Sequence, residues 1–339
     1  MPTELISIVV PAFNEQDNLP ELVARLTAQL DTIAPHGWEV VLVDDGSTDG
    51  TRIALRELNA RDARFKAVLF SRNFGKEIAI AAGLRYAAGD AVIVMDADLQ
   101  HPPEMLGEFL THWRQGHEVV YGQRRSRETD GPIRRFFSRR FYRLFHVLTP
   151  TELPEGAGDF RLLDRKAVAA MNRIGERNRY NNGLFAWIGF RSIGIPYRVA
   201  ERTKGTSSWS FLHLARFAID GIASFSTVPL RIWSYLGLLI SVFALGYAML
   251  QIIETLLYGP DVPGFPTLAV SIMFFSGVQL ISLGVLGEYL GRVYEEVKAR
   301  PLFLVADEIG LESRATETRT STEGEHATVA SAPETGIIR

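Results

Sequence analysis

Ala91-Val92-Ile93-Val94-Met95-Asp96-Ala97-Asp98 is an apolar run that breaks into two carboxylates. Its first five residues read as a buried strand. Side chains alternate along an extended chain, so Asp96 and Asp98 face the same way at the strand's carboxyl end. Two neighbouring carboxylates repel unless a hard cation lies between them. Mg²⁺ or Mn²⁺ suits that place, because it takes few protein oxygens and fills its shell with substrate phosphates. A nucleotide diphosphate is such a substrate.

Working outward, Ile6 to Val10, Val40 to Val43 and Ala67 to Phe70 read as further buried strands. Helix-like stretches lie near Asn18 to Thr32, Asp49 to Asp62 and Lys76 to Ala88. This βαβα order predicts a parallel sheet covered by helices, with ligands at the carboxyl ends of the strands. The first strand ends in Pro11-Ala12-Phe13-Asn14-Glu15 and the second in Asp44-Asp45-Gly46-Ser47-Thr48-Asp49. Asp44 and Asp45 can accept hydrogen bonds from a nucleobase N–H or a ribose hydroxyl. Ser47 or Thr48 is expected to cap the following helix.

The chain has 339 residues, 47% hydrophobic and 22% charged, enough for one large domain with added membrane segments. A net charge of −3 excludes a general polyanion binder. With no cysteine there are no disulfides or thiolate metal sites, which fits a cytosol-facing protein. The N-terminus runs straight into a strand without the basic start or cleavage site of a signal peptide.

Together, Pro11 to Glu15, Asp44 to Asp49, Arg72-Asn73-Phe74-Gly75-Lys76 and Met95 to Pro103 resemble glycosyltransferase family 2. The likeness is to its polyprenyl-phosphate branch, the bactoprenol glucosyltransferases and dolichol-phosphate mannose synthases, and covers about Leu5 to Leu302. It implies a GT-A, Rossmann-like α/β domain, an essential Mg²⁺ or Mn²⁺ and inversion at the anomeric carbon. Asp44 would contact the nucleobase, and Asp96, Asp98 and Gln100 would surround the metal and diphosphate. Pro11, Phe13, Asn14, Glu15, Asp45, Lys76 and Ala97 complete the expected donor site.

Arg124, Arg125, Arg127, Arg134, Arg135, Arg139, Arg140 and Arg143 crowd one short stretch. Phe136, Phe137, Phe141, Leu144, Phe145 and Leu148 recur there at helical spacing. One face is apolar and the other arginine, the pattern of a helix in the membrane interface. The aromatics lie apart from the arginines, which argues against base stacking and against nucleic acid. Arginine matches phosphate oxygens bidentately, so an anionic lipid head suits this helix. By the resemblance, Arg124, Arg134 and Ser138 hold acceptor phosphate.

Asp159, in Gly158-Asp159-Phe160-Arg161, resembles the family's reactive-centre carboxylate. The acceptor phosphate is already largely ionised near neutral pH, so Asp159 is either a base or a group that orients an arginine and the sugar hydroxyls. Asp159 and Asp98 are the candidate catalytic residues. Arg202-Thr203-Lys204-Gly205-Thr206-Ser207 resembles the loop that closes over the diphosphate. Ser208 and Trp209 stand where relatives often carry a lysine, and Arg202 and Lys204 are the candidate cations. His101, His112, His117 and His146 have no metal-ligand spacing and read as surface or packing residues.

Two apolar runs, about 232–254 and 266–290, are each near the roughly 20 residues a membrane span needs. Trp233 and Tyr235 are interface anchors. The linker 258–264 has no Lys or Arg, whereas Arg231, Arg292, Lys298 and Arg300 flank the spans. The positive-inside rule puts both termini in the cytoplasm of a multi-pass protein of the bacterial inner membrane. Ser276, Gln279 and Ser282 suggest helix–helix contacts and a homo-oligomer.

The expected organisation is a cytosolic GT-A domain over 1–208, with a basic interface helix at 132–148. A juxtamembrane amphipathic helix over 209–230, two spans within 231–300 and a disordered tail over 306–339 follow. The expected activity is transfer of glucose from UDP-glucose to undecaprenyl phosphate, for decoration of an envelope glycan. Glucose rests on likeness at Asn73 to Glu77 and Gly158 to Leu163. Mannose or aminoarabinose is the alternative sugar, and a non-catalytic membrane scaffold the alternative class. A processive polysaccharide synthase would need more spans and a Gln-x-x-Arg-Trp motif, and the sequence has neither.

Overall fold

The computed structural model describes residues 4–124, 149, 154, 156–197, 226, 228–258 and 264–311. The first elements are β1 (Ile6–Ala12), α1 (Leu19–Ile33), β2 (Trp38–Asp44), α2 (Thr51–Arg61), β3 (Phe65–Phe70), α3 (Lys76–Tyr86) and β4 (Ala91–Val94). Then come α4 (Leu106–Arg114), β5 (Val119–Arg124), β6 (Ala157–Asp164), α5 (Arg165–Arg173), α6 (Asn181–Trp187) and β7 (Ser192–Tyr197). The chain ends its described course with α7 (Val228–Tyr258), α8 (Phe265–Val297) and β8 (Val305–Ile309). Two compact units result: 1–97 with 303–339, and 98–302.

The first unit is the expected α/β layer. Its strands run in the order β4-β1-β2-β3-β8, parallel except for β8, which makes the sheet mixed. All seven residues of β2 are buried, as an interior strand of a helix-covered sheet requires. Helix α1 buries Leu19, Leu22, Leu26 and Leu30, a stripe at the 3.6-residue period. A Cβ on Gly83 would meet Val9 Cγ1 at 2.1 Å, so α3 lies on β1 at a distance only glycine allows. Pro11 sits in an interior strand at no cost in hydrogen bonds. Met95 N–H donates to Val9 O, so odd-numbered residues of β1 face β4, and that pairing stops at Val9–Val94. The proline's missing donor falls beyond it.

Two expectations are corrected here. The disordered tail was expected from 306, yet Val305–Ile309 is an ordered strand antiparallel to β3. Its charges have partners: Asp307 pairs with Arg56, and Glu308 accepts from the Tyr86 hydroxyl. Phe303 just before it stacks on Phe70, with ring centroids 5.1 Å apart. Composition alone does not register such long-range partners. The cap of α2 is Gly50 rather than Ser47 or Thr48, with Asp49 Oδ1 accepting from Thr51 N–H at 3.0 Å.

In the second unit β5 lies between β7, parallel to it, and β6, antiparallel. Phe160 is fully buried between Phe109, at 4.6 Å, and His101, stacked at 4.7 Å. His101 is thus a packing residue. Helices α7 and α8 have 31 and 33 residues. Among the described residues one stretch, Ser271–Val297, is long and apolar enough to cross a membrane, and its most apolar part is not buried. That accounts for one of the two expected spans. The Ser282 hydroxyl donates to Val278 O at 2.8 Å, so it serves its own helix rather than a neighbour. The helices expected at 132–148 and over most of 209–230, and the tail from 312, lie outside the described residues.

One buried ionic cluster ties the first sheet together. Glu39, 3% exposed, accepts from Ser7 Oγ at 2.6 Å, Lys66 Nζ at 2.7 Å and Ala88 N–H at 2.7 Å. Burial pushes its carboxyl up, but these hydrogen bonds outweigh burial and hold it below the ordinary 4.5. A depressed folded value stabilises the protein above the unfolded pKa, and the benefit is lost as pH falls through the folded one. Glu39→Gln should therefore lower unfolding stability at neutral pH by about 1–3 kcal/mol. The gap from the parent, read by thermal melts, should shrink as pH drops below about 4.5.

Candidate functional site

The loops leaving β1, β2 and β3 are laced together in the first unit. Asn14 adopts φ 57°, a left-handed conformation that Asn tolerates better than most residues. There its N–H donates to Ser47 Oγ at 2.9 Å and its Oδ1 accepts from Thr48 N–H at 2.8 Å. Glu15 N–H donates to Thr51 Oγ1 at 3.0 Å, and Glu15 Oε2 accepts from Asn18 Nδ2 at 2.6 Å. Ser47, expected as a helix cap, instead joins two strand exits. Phe13 is left 45% exposed beside this lacing, an open ring on a sheet edge.

Asp44 and Asp45 are less open than a pair of ligand carboxylates would be. Asp44 is fully buried, accepts from Ser47 N–H at 3.2 Å and pairs with Arg52 Nε at 2.8 Å. Asp45 accepts from the N–H groups of Phe74, at 2.6 Å, and Gly75, at 2.9 Å, so it clamps the loop after β3. Burial pushes its carboxyl up, and those two hydrogen bonds only partly offset it. Gly46 makes the approach possible. Its φ is +74°, and a Cβ there would lie 2.4 Å from the Arg72 carbonyl carbon. Lys76, at the start of α3, reaches Asp96 Oδ1 at 2.6 Å. The structure thus brings Lys76 and Asp96 together as the motifs suggest.

Asp96 and Asp98 are half-buried while Ala97 and Leu99 are each 3% exposed, the alternation expected of them. Leu99 has φ 59°, costly for a bulky residue, and the turn it makes lets Gln100 N–H donate to Asp98 Oδ1 at 3.1 Å. The donor set fits Mg²⁺ or Mn²⁺: two carboxylates and the Gln100 amide are hard oxygen ligands. Asp96 Oδ1 already has a cationic partner in the Lys76 ammonium. Among the described residues no three His, Asp or Glu side chains form a metal cluster. The cation would need further oxygens, which a diphosphate supplies.

In the second unit, Arg124 ends β5 and donates from Nε to the Tyr197 hydroxyl at 3.1 Å. A Cβ on Gly158 would meet its guanidinium at 3.7–4.0 Å, so the arginine lies over the residue preceding Asp159. Asp159 and Arg161 are two residues apart on β6, across the irregularity in its pairing with β5. Arg161 is 4% exposed, donates from Nη2 to Gly158 O and, at 2.7 Å, to Asn182 Oδ1, and sits 3.9 Å from the Phe185 ring centroid. The sequence reading gave Arg161, Asn182 and Tyr197 no role. Only the i, i+2 spacing of Asp159 and Arg161 could have flagged one of them. Arg134, Ser138, Arg202 and Lys204 lie outside the described residues.

Residues 7–171 match glycosyl transferase family 2, and residues 228–293 match the GtrB C-terminal hairpin. An uncharacterized glycosyltransferase of Synechocystis sp. is 49% identical over 307 residues, 91% of this chain and 96% of its own length. The SfII prophage-derived bactoprenol glucosyl transferase of Shigella flexneri is 41% identical over 300 residues, 88% of this chain and 97% of that one. Among solved structures, a mannosyltransferase from Pyrobaculum calidifontis in complex with GDP-Man and Mn²⁺ matches with a TM-score of 0.45 at 19% identity, covering 84% of this chain and 86% of its own. The chain therefore belongs to glycosyl transferase family 2. Within that family it is a glycosyltransferase that carries the GtrB-type C-terminal hairpin.

The closeness at Gly46 makes a test of the loop lacing. Gly46→Ala should cost about 1–3 kcal/mol of stability, through backbone strain and the clash with Arg72. It should also weaken the thermal protection given by a nucleotide-sugar, read as a smaller melting shift at equal ligand concentration.

Proposed function

We propose that this protein transfers glucose from UDP-glucose to undecaprenyl phosphate, with inversion, at the cytoplasmic face of the bacterial inner membrane. The observation that carries the proposal is the 41% identity, over nearly the whole length of both chains, to a bactoprenol glucosyl transferase. Acidic strand ends beside Lys76 and a basic strand end at Arg124 supply the complementary chemistry. Helices α7 and α8 are both long enough to span a bilayer, which supports a multi-pass anchor with a short external linker. The exposed apolar side chains of α8, among them Ile272, Met273, Phe274 and Leu280, suit contact with lipid.

In the reaction an oxygen of the lipid phosphate bonds to C1 of the sugar. The C1–O bond to the diphosphate breaks from the opposite side, and its electron pair leaves with UDP. The phosphate is already ionised, so no proton need be removed for attack. The protein's main work is holding two anions close together and orienting them. Asp44, its charge set by Arg52, and Asp45 underlie the nucleotide end with Pro11, Phe13, Asn14 and Glu15. Asp96, Asp98 and Gln100 would hold the divalent cation, and Lys76, paired with Asp96, would also meet the diphosphate. When bound, that cation offsets charge on the departing diphosphate. Arg202 and Lys204 close on the same diphosphate, while Arg124, Arg134 and Ser138 hold the acceptor phosphate. Asp159 orients the sugar and the neighbouring guanidinium of Arg161 rather than serving as a base, because the nucleophile needs no deprotonation.

Membranes containing the protein should move radiolabel from UDP-glucose into an organic-extractable lipid, and EDTA should stop the transfer. Absence of label with every nucleotide-sugar offered would remove the enzymatic reading, and label from GDP-mannose alone would replace the sugar. Asp98→Ala should reduce transfer by at least about a hundredfold while leaving melting and membrane association unchanged.

A further inference from the structure

The segment 174–182, between α5 and α6, makes a set of contacts that the reaction as described does not use. At one end it grips α8. Arg177 N–H donates to Glu296 Oε1 at 2.6 Å, and its Nη1 meets Glu296 Oε2 at 3.1 Å and Glu296 O at 3.2 Å. Its Nε donates to Arg300 O at 2.8 Å. A guanidinium on the last carbonyls of a helix is favoured by both hydrogen bonding and the helix dipole.

Within the segment, Arg179, 8% exposed, braces the turn. Its Nη1 donates to Ile174 O at 2.9 Å and its Nε to Asn181 Oδ1 at 3.2 Å. Asn181 is fully buried. At the other end Asn182 Oδ1 accepts from Arg161 Nη2. The chain of contacts therefore begins on the helix proposed to cross the membrane and ends on the Arg161 guanidinium, two residues along β6 from Asp159. Burial also matters here: it pushes the Glu176 carboxyl up, Arg179 opposes that, and Glu296 reinforces it.

We propose that Arg177, Glu296 and Asn182 are positioning residues: they fasten the 174–182 segment to the end of α8 and so fix Arg161, two residues along β6 from Asp159. The inference rests on the reading of Asp159 as a reaction-centre carboxylate. The Arg177–Glu296 ion pair is partly exposed, at 25% and 41% of the side chains, and alone would contribute little. Its value is as one bond of a set that also includes a helix end and a backbone N–H. A small displacement of a guanidinium or carboxylate at a reacting centre is enough to cost a large factor in rate. The expected signature is therefore a loss in turnover with the affinity for donor preserved.

The test uses the full chain in lipid nanodiscs. Glu296→Ala and Asn182→Ala should each lower kcat about tenfold or more, with KM for UDP-glucose and the melting temperature little changed. Asn182→Gln keeps a neutral amide acceptor and should retain more activity than Asn182→Ala, and Arg177→Lys should outperform Arg177→Ala. The double variant Glu296→Ala with Asn182→Ala should lose no more than the worse single variant, because both cut the same chain of contacts. Fully additive losses, wild-type kcat in both single variants, or losses matched by unfolding would each overturn the proposal. Asp159→Asn separates the two layers. Full transfer in that variant defeats the reading of Asp159 and the inference with it. An inactive Asp159→Asn beside unaffected Glu296→Ala and Asn182→Ala leaves that reading standing and defeats the inference alone.

Discussion

Parallel strands deliver their carboxyl ends to one edge, and in this chain two of those ends, of β2 and β4, carry three aspartates whose charge has to be answered. Asp44 is answered by Arg52, Asp45 by two backbone N–H groups after β3, and Asp96 by Lys76 at the start of α3. An unanswered buried carboxylate would cost several kcal/mol by the usual scale, on the order of the whole stability of a domain. The strand exits are therefore shaped by this constraint. Asn14 turns left-handed to join Ser47 and Thr48, and Gly46 gives up its side chain so that two backbones can touch. The edge that results is rigid, polar and still acidic, which is what a cation with a diphosphate requires.

The second unit answers the opposite need. It carries guanidinium groups on neutral acceptors: exposed Arg124 on the Tyr197 hydroxyl, buried Arg161 on Asn182 and against the Phe185 ring, and buried Arg179 on Asn181 and Ile174 O. Neutral acceptors satisfy the N–H donors without cancelling the positive charge. The stacked His101, Phe160 and Phe109 rings beneath β6 give this polar layer a stiff floor.

Much of this was legible from periodicity. The four parallel strands and three helices of the first unit fall within a few residues of their expected bounds, because buried β-branched runs and a 3.6-residue stripe are local signals. The role of Asp44 was not legible. Position after a strand identifies a carboxylate at the sheet edge but not which way it turns, and Asp44 turns into the protein toward Arg52, eight residues on. Arg161 was hidden for a similar reason: its partner Asn182 is 21 residues away and belongs to no motif. The ordered strand at 305–309 was hidden by its own composition. Val-Ala-Asp-Glu-Ile looks like the start of a solvated tail until Arg56 and Tyr86 are seen across from it.

That strand also says something about the order in which the chain is completed. Among the described residues the open edge of β3 is covered by β8, which follows α8 in sequence, so the first unit borrows its last strand from beyond the two long helices. Ala67 and Ile309 are paired neighbours separated by most of the chain, a contact whose loop closure is entropically costly and slow. Until β8 arrives, β3 presents unpaired backbone groups and an apolar surface at Phe70, a hazard that edge strands normally blunt with charge. Here the charge comes with the covering strand itself, as Asp307 and Glu308. Sheet closure in this architecture is thus coupled to the synthesis of both long helices, which ties the integrity of the acidic edge to a strand that follows them.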